Sequence, residues 1–394
     1  MYDSVKRLGI IEGIILIYVF FLPLEDFLLQ GIVDSVTRIV AAVFIVSHLL
    51  LRRPLILKQY SVSYYVFFLW AILSIFLWAK VPDYYATFRL FMWLLTSIVI
   101  GSAICKAPVL LNLIPLAYLL GTVVLIFQSL FNFIGQGEKI QRVEVLGLDQ
   151  NLLSLHLACG IVVSTYFFLS ALSTKRKTAL VMLLLAGILA VFSTGSRSGL
   201  LAVGLALIYF LGNFKRSKHT LVAFFLIFFM VINLVLSDNA FSQLVINRFS
   251  HAFETKTEGR LVIWKLAVNV ISENPLFGVG YRSFPEIVKS YFYQSNLSRF
   301  ELAWIGKKTR FGTHNAFFEV LAGLGVVGLT LFYHLQYLGL KKIKGAFKES
   351  RRLYTGFFIV LSTMSMFLDI TNLKVFWLFI GTMQTIQYLN KTYS

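Results

Sequence analysis

Long apolar runs alternate with short polar segments along almost the whole chain. A helix of about 20 apolar residues spans the hydrocarbon core of a bilayer, and twelve runs approach or exceed that length. The runs lie at residues 8–24, 32–51, 60–79, 86–105, 108–134, 151–173, 178–195, 198–213, 219–236, 313–340, 353–371 and 373–390. This pattern predicts an all-α polytopic integral membrane protein with about twelve transmembrane helices in a single transmembrane domain, residues 1–394.

The short loops between these runs alternate in charge. One set is basic, as at residues 175–177 and 215–218, whereas the other set carries acidic residues such as Glu25 and Asp26. Cytoplasmic loops of membrane proteins are rich in Lys and Arg. We therefore expect both chain termini to lie in the cytoplasm and the acidic loops to face outward.

One extramembrane segment, the outer loop of residues 237–312, is large enough to hold structure of its own. After Gly259, apolar residues recur at the spacing of one helix face. The predicted stripe consists of Leu261, Trp264, Val268 and Ile271. Asn274 and Pro275 are expected to end this helix, because proline disfavours helical backbone in the residue before it.

A second helix is expected after the turn that follows. Ser283 and Glu286 stand in the pattern of a capping box, and Pro285 between them is tolerated in a first helical turn. Short amphipathic helices of this kind are expected to lie flat on the outer membrane surface.

The composition agrees with a membrane protein and excludes several classes of function. Hydrophobic residues make up 58% of the chain and charged residues 14%, whereas a soluble domain has about 25% charged residues. The net charge of +18 does not indicate nucleic-acid binding, since most basic residues lie in short loops. Cys105 and Cys159 give no disulfide framework. No phosphate-binding loop, zinc-protease motif or serine-hydrolase motif occurs, and outer carboxylates are scarce, so neither a cofactor nor a metal is expected.

A single arginine, Arg197, lies in the sequence STGSRSGLL between the seventh and eighth apolar runs. A charge at the bilayer centre costs about 3 kcal/mol or more, so this side chain should lie at an interface or face a polar cavity. A tight turn whose arginine reaches the lipid headgroups is an equally simple interpretation.

Further charged residues share one outer level. Arg260 opens the predicted loop helix, while Arg310 and His314 stand at the start of the tenth run. Arginine suits a phosphate because its planar fork donates two hydrogen bonds and keeps its charge. This layout is typical of a site for an anionic ligand at the outer leaflet. For Arg38 and Arg89, contact with lipid headgroups is the favoured interpretation.

His314 is a candidate proton acceptor. Thr313 is predicted to cap the tenth helix, which places His314 in the first helical turn. The helix dipole disfavours imidazolium there, and a neutral imidazole accepts a proton near pH 7. A polar residue hydrogen-bonded at a span end is the alternative. Three glycines that follow most simply allow close helix packing, namely Gly323, Gly325 and Gly328.

Three patterns together resemble the O-antigen ligase family. They are S-x-R-S-G around Arg197, G-R-x-x-x-W…N-P-x-x-G-x-G-x-x-x-F over 259–284, and H-N-x-x-x-E…G-x-x-G over 314–328. Two shorter ligase patterns also occur, R-x-x-x-L from Arg197 to Leu201, and a histidine followed by ten residues and a glycine from His314 to Gly325. Asp-Gln-Asn at 149–151 resembles a D-P-N element of the family, with glutamine in place of proline. The resemblance covers about residues 145–335.

The resemblance implies an inverting, metal-independent glycosyltransferase at the periplasmic face of a bacterial inner membrane. Its donor would be a glycan on undecaprenyl pyrophosphate, and its acceptor a sugar hydroxyl of lipid A–core. Arg197 and Arg260 would hold the pyrophosphate, with Arg310 and Asn315 as further substrate-binding residues. His314 would take the proton of the attacking hydroxyl, and the outer loop would cover both substrates.

Three other functions fit parts of the sequence. A Wzy-type polymerase would use the same donor with a second lipid-linked glycan as acceptor, although one dominant outer loop favours the ligase. A protein glycosyltransferase is the third possibility within the same superfamily. A secondary transporter also suits twelve spans, but transporters usually show repeated halves, and this sequence shows no repeat.

Overall fold

The computed structural model describes residues 8–24, 33–79, 83–135, 149–171, 173–212, 256–292, 297–298, 301, 312–344 and 348–393. Within these ranges the chain forms thirteen α-helices and no strand. The all-α fold class predicted from the apolar runs is confirmed.

The helices, in chain order, are α1 Ile10–Phe21, α2 Val33–Leu50, α3 Val62–Leu77, α4 Tyr84–Lys106, α5 Leu110–Gly135, α6 Gln150–Ser170, α7 Thr174–Thr194, α8 Arg197–Gly212, α9 Lys256–Glu273, α10 Phe284–Ile287, α11 Ala316–Lys344, α12 Lys348–Ser365 and α13 Lys374–Tyr393. Short 3-10 turns lie at Leu22–Leu24, Leu57–Gln59, Val288–Tyr291 and Ile370–Asn372.

The predicted apolar runs correspond closely to these helices. The ninth run, residues 219–236, lies outside the described residues, and a helix occupies each of the other eleven. Five described helices are long and apolar enough to cross a membrane, namely α4, α5, α6, α7 and α11, and shorter apolar helices include α1, α2, α3 and α8. A multi-pass membrane protein is therefore supported, while the number of spans and their orientation stay predictions.

Two compact units can be described separately. The first comprises Met1–Arg53, Lys106–His251 and Phe347–Met364, and the second comprises Pro54–Cys105, Ala252–Ala346 and Ser365–Ser394. Each unit is therefore assembled from segments that are distant in sequence.

The first unit is built around α6. This helix is apolar on all sides, as expected for a helix enclosed by neighbours, and it contacts α5, α7 and α8. A Cβ atom on Gly160 would lie 2.4 Å from Thr122 Cγ2, and one on Gly199 would lie 2.4 Å from Ser154 Cβ. Glycine at position 199 thus allows α8 to approach the start of α6 closely.

The second unit packs α11 against α3, α9 and α13. Large aromatic side chains fill its core, and Phe67, Phe68 and Trp377 are almost completely buried in contact with one another. This core supports the helix that carries the candidate site at its first residues.

The face of α9 that packs inward differs from the predicted stripe. Leu261 and Val268 of that stripe are 46% and 51% exposed. The buried residues of α9 are instead Val262, Ile263, Leu266, Ala267 and Val270, which pack with Phe284, Ile287, Val288, Tyr291 and Ala322. The predicted stripe is confirmed in part, because Ile271 packs against this core and Trp264 stacks on Phe318, whereas Leu261 and Val268 are exposed. Since α9 is apolar on both faces, partners from distant segments decide which face is buried.

The segment after α9 agrees with the prediction in part. α9 ends at Glu273, immediately before Asn274 and Pro275, as predicted. The second helix, α10, has four residues and continues as the 3-10 turn Val288–Tyr291. Ser283 precedes α10, but its side chain makes no capping hydrogen bond. The predicted capping box is therefore not formed.

α11 is broken at Gly325, where φ is 66° and ψ is −170°. The break leaves backbone N–H and C=O groups of α11 without partners inside the helix. The turn after α9, residues 275–280, supplies hydrogen-bond partners for these groups. Four backbone hydrogen bonds join the two segments, namely Val279 N to Ala322 O, Gly280 N to Gly323 O, Val326 N to Pro275 O and Val327 N to Leu276 O. In addition, Trp70 Nε1 donates to Leu324 O at 3.2 Å.

The close approach of these two segments requires glycine. A Cβ atom on Gly325 would lie 2.1 Å from Leu276 O, and one on Gly278, where φ is 70°, would lie 2.5 Å from Gly323 O. Of the three glycines predicted to allow helix–helix packing, Gly323 and Gly325 therefore join a turn to a broken helix instead. Irregular backbone in a membrane helix is stable only when it is buried in protein in this way or lines a polar cavity.

Candidate active site

His314 lies immediately before α11 in a left-handed backbone conformation, with φ of 49°. This conformation is uncommon for residues other than glycine, so the surrounding contacts must hold it. α11 begins at Ala316. The prediction that His314 lies in the first helical turn is therefore wrong.

Asn315, rather than Thr313, caps α11. The side-chain oxygen of Asn315 accepts hydrogen bonds from Phe317 N at 2.8 Å and Phe318 N at 3.3 Å, as N-cap residues do. Its amide nitrogen donates to Met366 O at 3.1 Å. Both ends of the amide are thus engaged within the protein, so Asn315 helps to hold the preceding histidine, while its contact with substrate stays a prediction.

Thr313 connects this segment to a buried carboxyl group. The Thr313 hydroxyl lies 2.9 Å from Glu319 Oε2 and 2.9 Å from Asn315 O. Glu319 is 7% exposed and lies in the first turn of α11. A buried carboxyl group requires such partners, so the pair fixes the backbone on both sides of the histidine.

α9 supports the same segment from the side. Trp264 Nε1 donates to Thr313 O at 2.9 Å, and the Trp264 ring stacks on Phe318 with centroids 5.4 Å apart. Arg260 lies one helical turn before Trp264 and therefore on the same face of α9. Within the second unit, the segments that carry Arg260 and His314 are thus held against one another.

A group of charges around Tyr281 was not predicted from the sequence. Burial raises the pKa of the Tyr281 hydroxyl, the charge of Asp369 raises this pKa further, and Arg282 and Arg89 oppose both effects. Asp369 and Arg282 also interact electrostatically with Glu319, so the group adjoins the histidine segment. Arg89 therefore belongs to a charge cluster of the protein, although lipid contact was the favoured interpretation. The one sequence signal was the position of Arg282 two residues after the glycine-rich turn of residues 275–280.

Arg197 is the first residue of α8 and is exposed. Gly195, with φ of 63°, ends α7, and Ser196 Oγ accepts a hydrogen bond from Gly199 N at 3.2 Å to cap α8. The predicted tight turn is confirmed. An exposed arginine at the positive end of a helix dipole is a favourable place for an anion.

The predicted site residues are divided between the two units. Arg197 belongs to the first unit, and Arg260, His314 and Asn315 belong to the second. Arg310 lies outside the described residues. Across the described parts of the chain, no three His, Cys, Asp or Glu side chains are grouped so that they could hold a metal ion.

The middle of the chain matches a known family. Residues 179–333 match the family model described as O-antigen ligase, and this segment includes Arg197, Arg260 and His314. No curated protein matches the chain. Members of that family are membrane enzymes that transfer glycans. The resemblance inferred from the sequence patterns is confirmed.

Proposed function

We propose that this chain, whose residues 179–333 carry the O-antigen ligase domain, transfers a glycan from undecaprenyl pyrophosphate to a sugar hydroxyl of lipid A–core. The reaction takes place at the periplasmic face of a bacterial inner membrane, with both termini of the chain in the cytoplasm. It inverts the configuration of the transferred sugar and requires no metal.

The observation that carries this proposal is the way in which His314 is held. Its backbone is left-handed, and hydrogen bonds of Thr313 and Asn315 fix the residues on either side of it. Strained backbone of this kind is found at functional sites, where surrounding structure maintains it. The indole that holds Thr313 lies one turn from Arg260 on α9, so a base and a cation share one neighbourhood.

The reaction is a single displacement at C1 of the transferred sugar. The acceptor oxygen forms the new C1–O bond while His314 takes its proton. The old C1–O bond breaks, and the pyrophosphate leaves with the electron pair of that bond. Arg260 and Arg197 bind the pyrophosphate and stabilise the charge that it gains, and Arg310 is a further candidate for this role. Removal of one such donor typically costs about 3 kcal/mol in the transition state.

The proposal is tested with purified protein in detergent, given undecaprenyl-pyrophosphate glycan with and without lipid A–core. Glycan attached to lipid A–core supports the ligase. A longer glycan that stays on the undecaprenyl carrier identifies a Wzy-type polymerase that uses the same donor. If lipid A–core gains no glycan and the glycan on the undecaprenyl carrier does not become longer, the proposal of glycan transfer is contradicted.

Two variants address the residues. His314→Ala and Arg260→Ala are expected to abolish transfer while the amount of protein in the membrane stays at the wild-type level. The matched controls are His334→Ala, later on α11 where the ring contacts Ser63, and Arg351→Ala on the exposed side of α12. Both controls should remain active. Wild-type activity in His314→Ala would remove this residue from the mechanism.

A further inference from the structure

The first turns of α6 and α8 meet in the first unit, and Asn151 joins them. Asn151 Oδ1 accepts hydrogen bonds from Ser196 Oγ at 2.8 Å and from Ser198 Oγ at 3.1 Å. These two serines flank Arg197 in the sequence. The amide of Asn151 is therefore fixed to the residues on both sides of the arginine.

The oxygen end of the Asn151 amide faces the two serines. Ser196 Oγ accepts from Gly199 N at 3.2 Å and donates its one proton to Asn151 Oδ1. Ser198 Oγ donates to the same oxygen. The NH2 group of Asn151 consequently points away from the serines.

The backbone groups of Asn151 are engaged, whereas the NH2 group is not. The Asn151 N–H donates to Asp149 Oδ1 at 2.8 Å, and the Asn151 carbonyl accepts from Ser154 Oγ at 2.8 Å. Asn151 is partly exposed, and its NH2 group has no hydrogen-bond partner among the residues that the structure describes. A neutral double donor is thus held in a fixed direction close to Arg197.

We propose that the NH2 group of Asn151 donates hydrogen bonds to the pyrophosphate of the lipid-linked donor, beside Arg197. This inference deepens the proposed function and rests on it. Arg197 supplies charge on a long side chain, whereas an amide fixed through its oxygen supplies directed donors that hold a phosphate oxygen in one place. One oxygen of the nearby Asp149 carboxylate, Oδ1, accepts from Asn151 N and Leu152 N and so caps α6.

Asn151→Asp tests this inference because aspartate has nearly the same shape as asparagine. Its carboxylate accepts both serine hydrogen bonds, so the contact between α6 and α8 is kept. The second carboxylate oxygen replaces the NH2 group and repels a phosphate. The KM for the donor lipid is expected to rise at least about tenfold, while the KM for lipid A–core and the melting temperature stay close to the wild-type values.

Two further variants separate binding from a structural role. Asn112→Asp is the matched control, because it makes the same charge change in the first turn of α5, where Asn112 accepts from Tyr166 OH at 3.5 Å. Its donor KM should equal that of the wild type. Asn151→Ala loses the serine contacts as well as the donor. If Asn151→Ala has a raised donor KM while Asn151→Asp has the wild-type value, Asn151 has only a structural role and the inference is overturned. If Asn151→Asp does not fold, an unchanged donor KM in Asn151→Ala overturns the inference, and a raised donor KM beside an unchanged KM for lipid A–core supports it.

A binding measurement separates this inference from the proposed function. A short-chain prenyl pyrophosphate without a glycan is titrated against the wild type and Asn151→Asp in detergent, with phosphatidylglycerol titrated in parallel. Weaker binding of the pyrophosphate alone to the variant supports the inference, even if the wild type transfers no glycan and the proposed function fails. Equal binding to both proteins overturns it while leaving a transferring wild type unaffected. An equal loss of phosphatidylglycerol binding would assign the contact to lipid headgroups and overturn the assignment to the donor.

Discussion

Replacing Gly325 with alanine should destabilise the second unit by roughly 3–5 kcal/mol. The new Cβ atom would lie 2.1 Å from Leu276 O and 2.3 Å from Leu276 C, which backbone atoms cannot tolerate. The φ of 66° and ψ of −170° at this position lie in a region that essentially only glycine occupies, and strain there costs about 1–3 kcal/mol. If the turn moves away to relieve the clash, the hydrogen bonds to Pro275 O and Leu276 O are lost, at about 1 kcal/mol each.

Thermal unfolding of the purified protein in detergent measures this loss. In a domain of moderate size, 1 kcal/mol shifts the midpoint by about 2–4 °C, so Gly325→Ala should lower it by on the order of 10 °C. Gly204→Ala in α8 is the matched control, because a Cβ atom there meets nothing within 4 Å. Its midpoint should be unchanged or slightly higher, since alanine favours a helix. If Gly325→Ala unfolds at the wild-type temperature, the turn does not lock the break and the reasoning above is refuted.

Three other changes have defined outcomes. Arg197→Lys should lower the rate of transfer at least about tenfold, because a point charge loses the bidentate fork of arginine; an unchanged steady-state rate would argue against a phosphate contact there. Trp264→Phe should keep the stack on Phe318 but lose the hydrogen bond to Thr313 O, so kcat should fall while the melting temperature changes little, and an unchanged kcat would separate this bond from His314. Addition of EDTA should leave transfer unchanged, whereas complete loss that a divalent ion restores would contradict the metal-free mechanism.

The helices could be predicted from the sequence because each depends on its own apolar run. The buried face of α9 could not, because it depends on other segments. Leu261 and Val268 form as regular a stripe as Leu266 and Val270 do, and only the packing of α10 and Ala322 against one side selects between them. Periodicity locates such a helix without determining its rotation about its own axis.

The candidate site likewise has features that the sequence predicts and features that it does not. His314, Arg260 and Arg197 were identified from local patterns, and a family model independently covers all three. The capping residue was misassigned because Thr313 and Asn315 are both good N-caps, and the choice depends on a carbonyl at Met366 that the sequence does not place nearby. The charges around Tyr281 come from α4, from the turn after α9 and from the segment before α13, so no local pattern could assemble them.

The spacing between His314 and Gly325 has a structural reason. Asn315 caps α11 and Gly325 breaks it, so the residues between them form a half-helix whose length is fixed at both ends. One residue inserted between Glu319 and Gly325 would rotate Glu319 by about 100° relative to the break. The turn that seals the break directly continues α9, so the same backbone contacts position the helix that carries Arg260. Gly325 therefore fixes the length of the half-helix that follows His314, and Gly195 fixes the end of α7 two residues before Arg197.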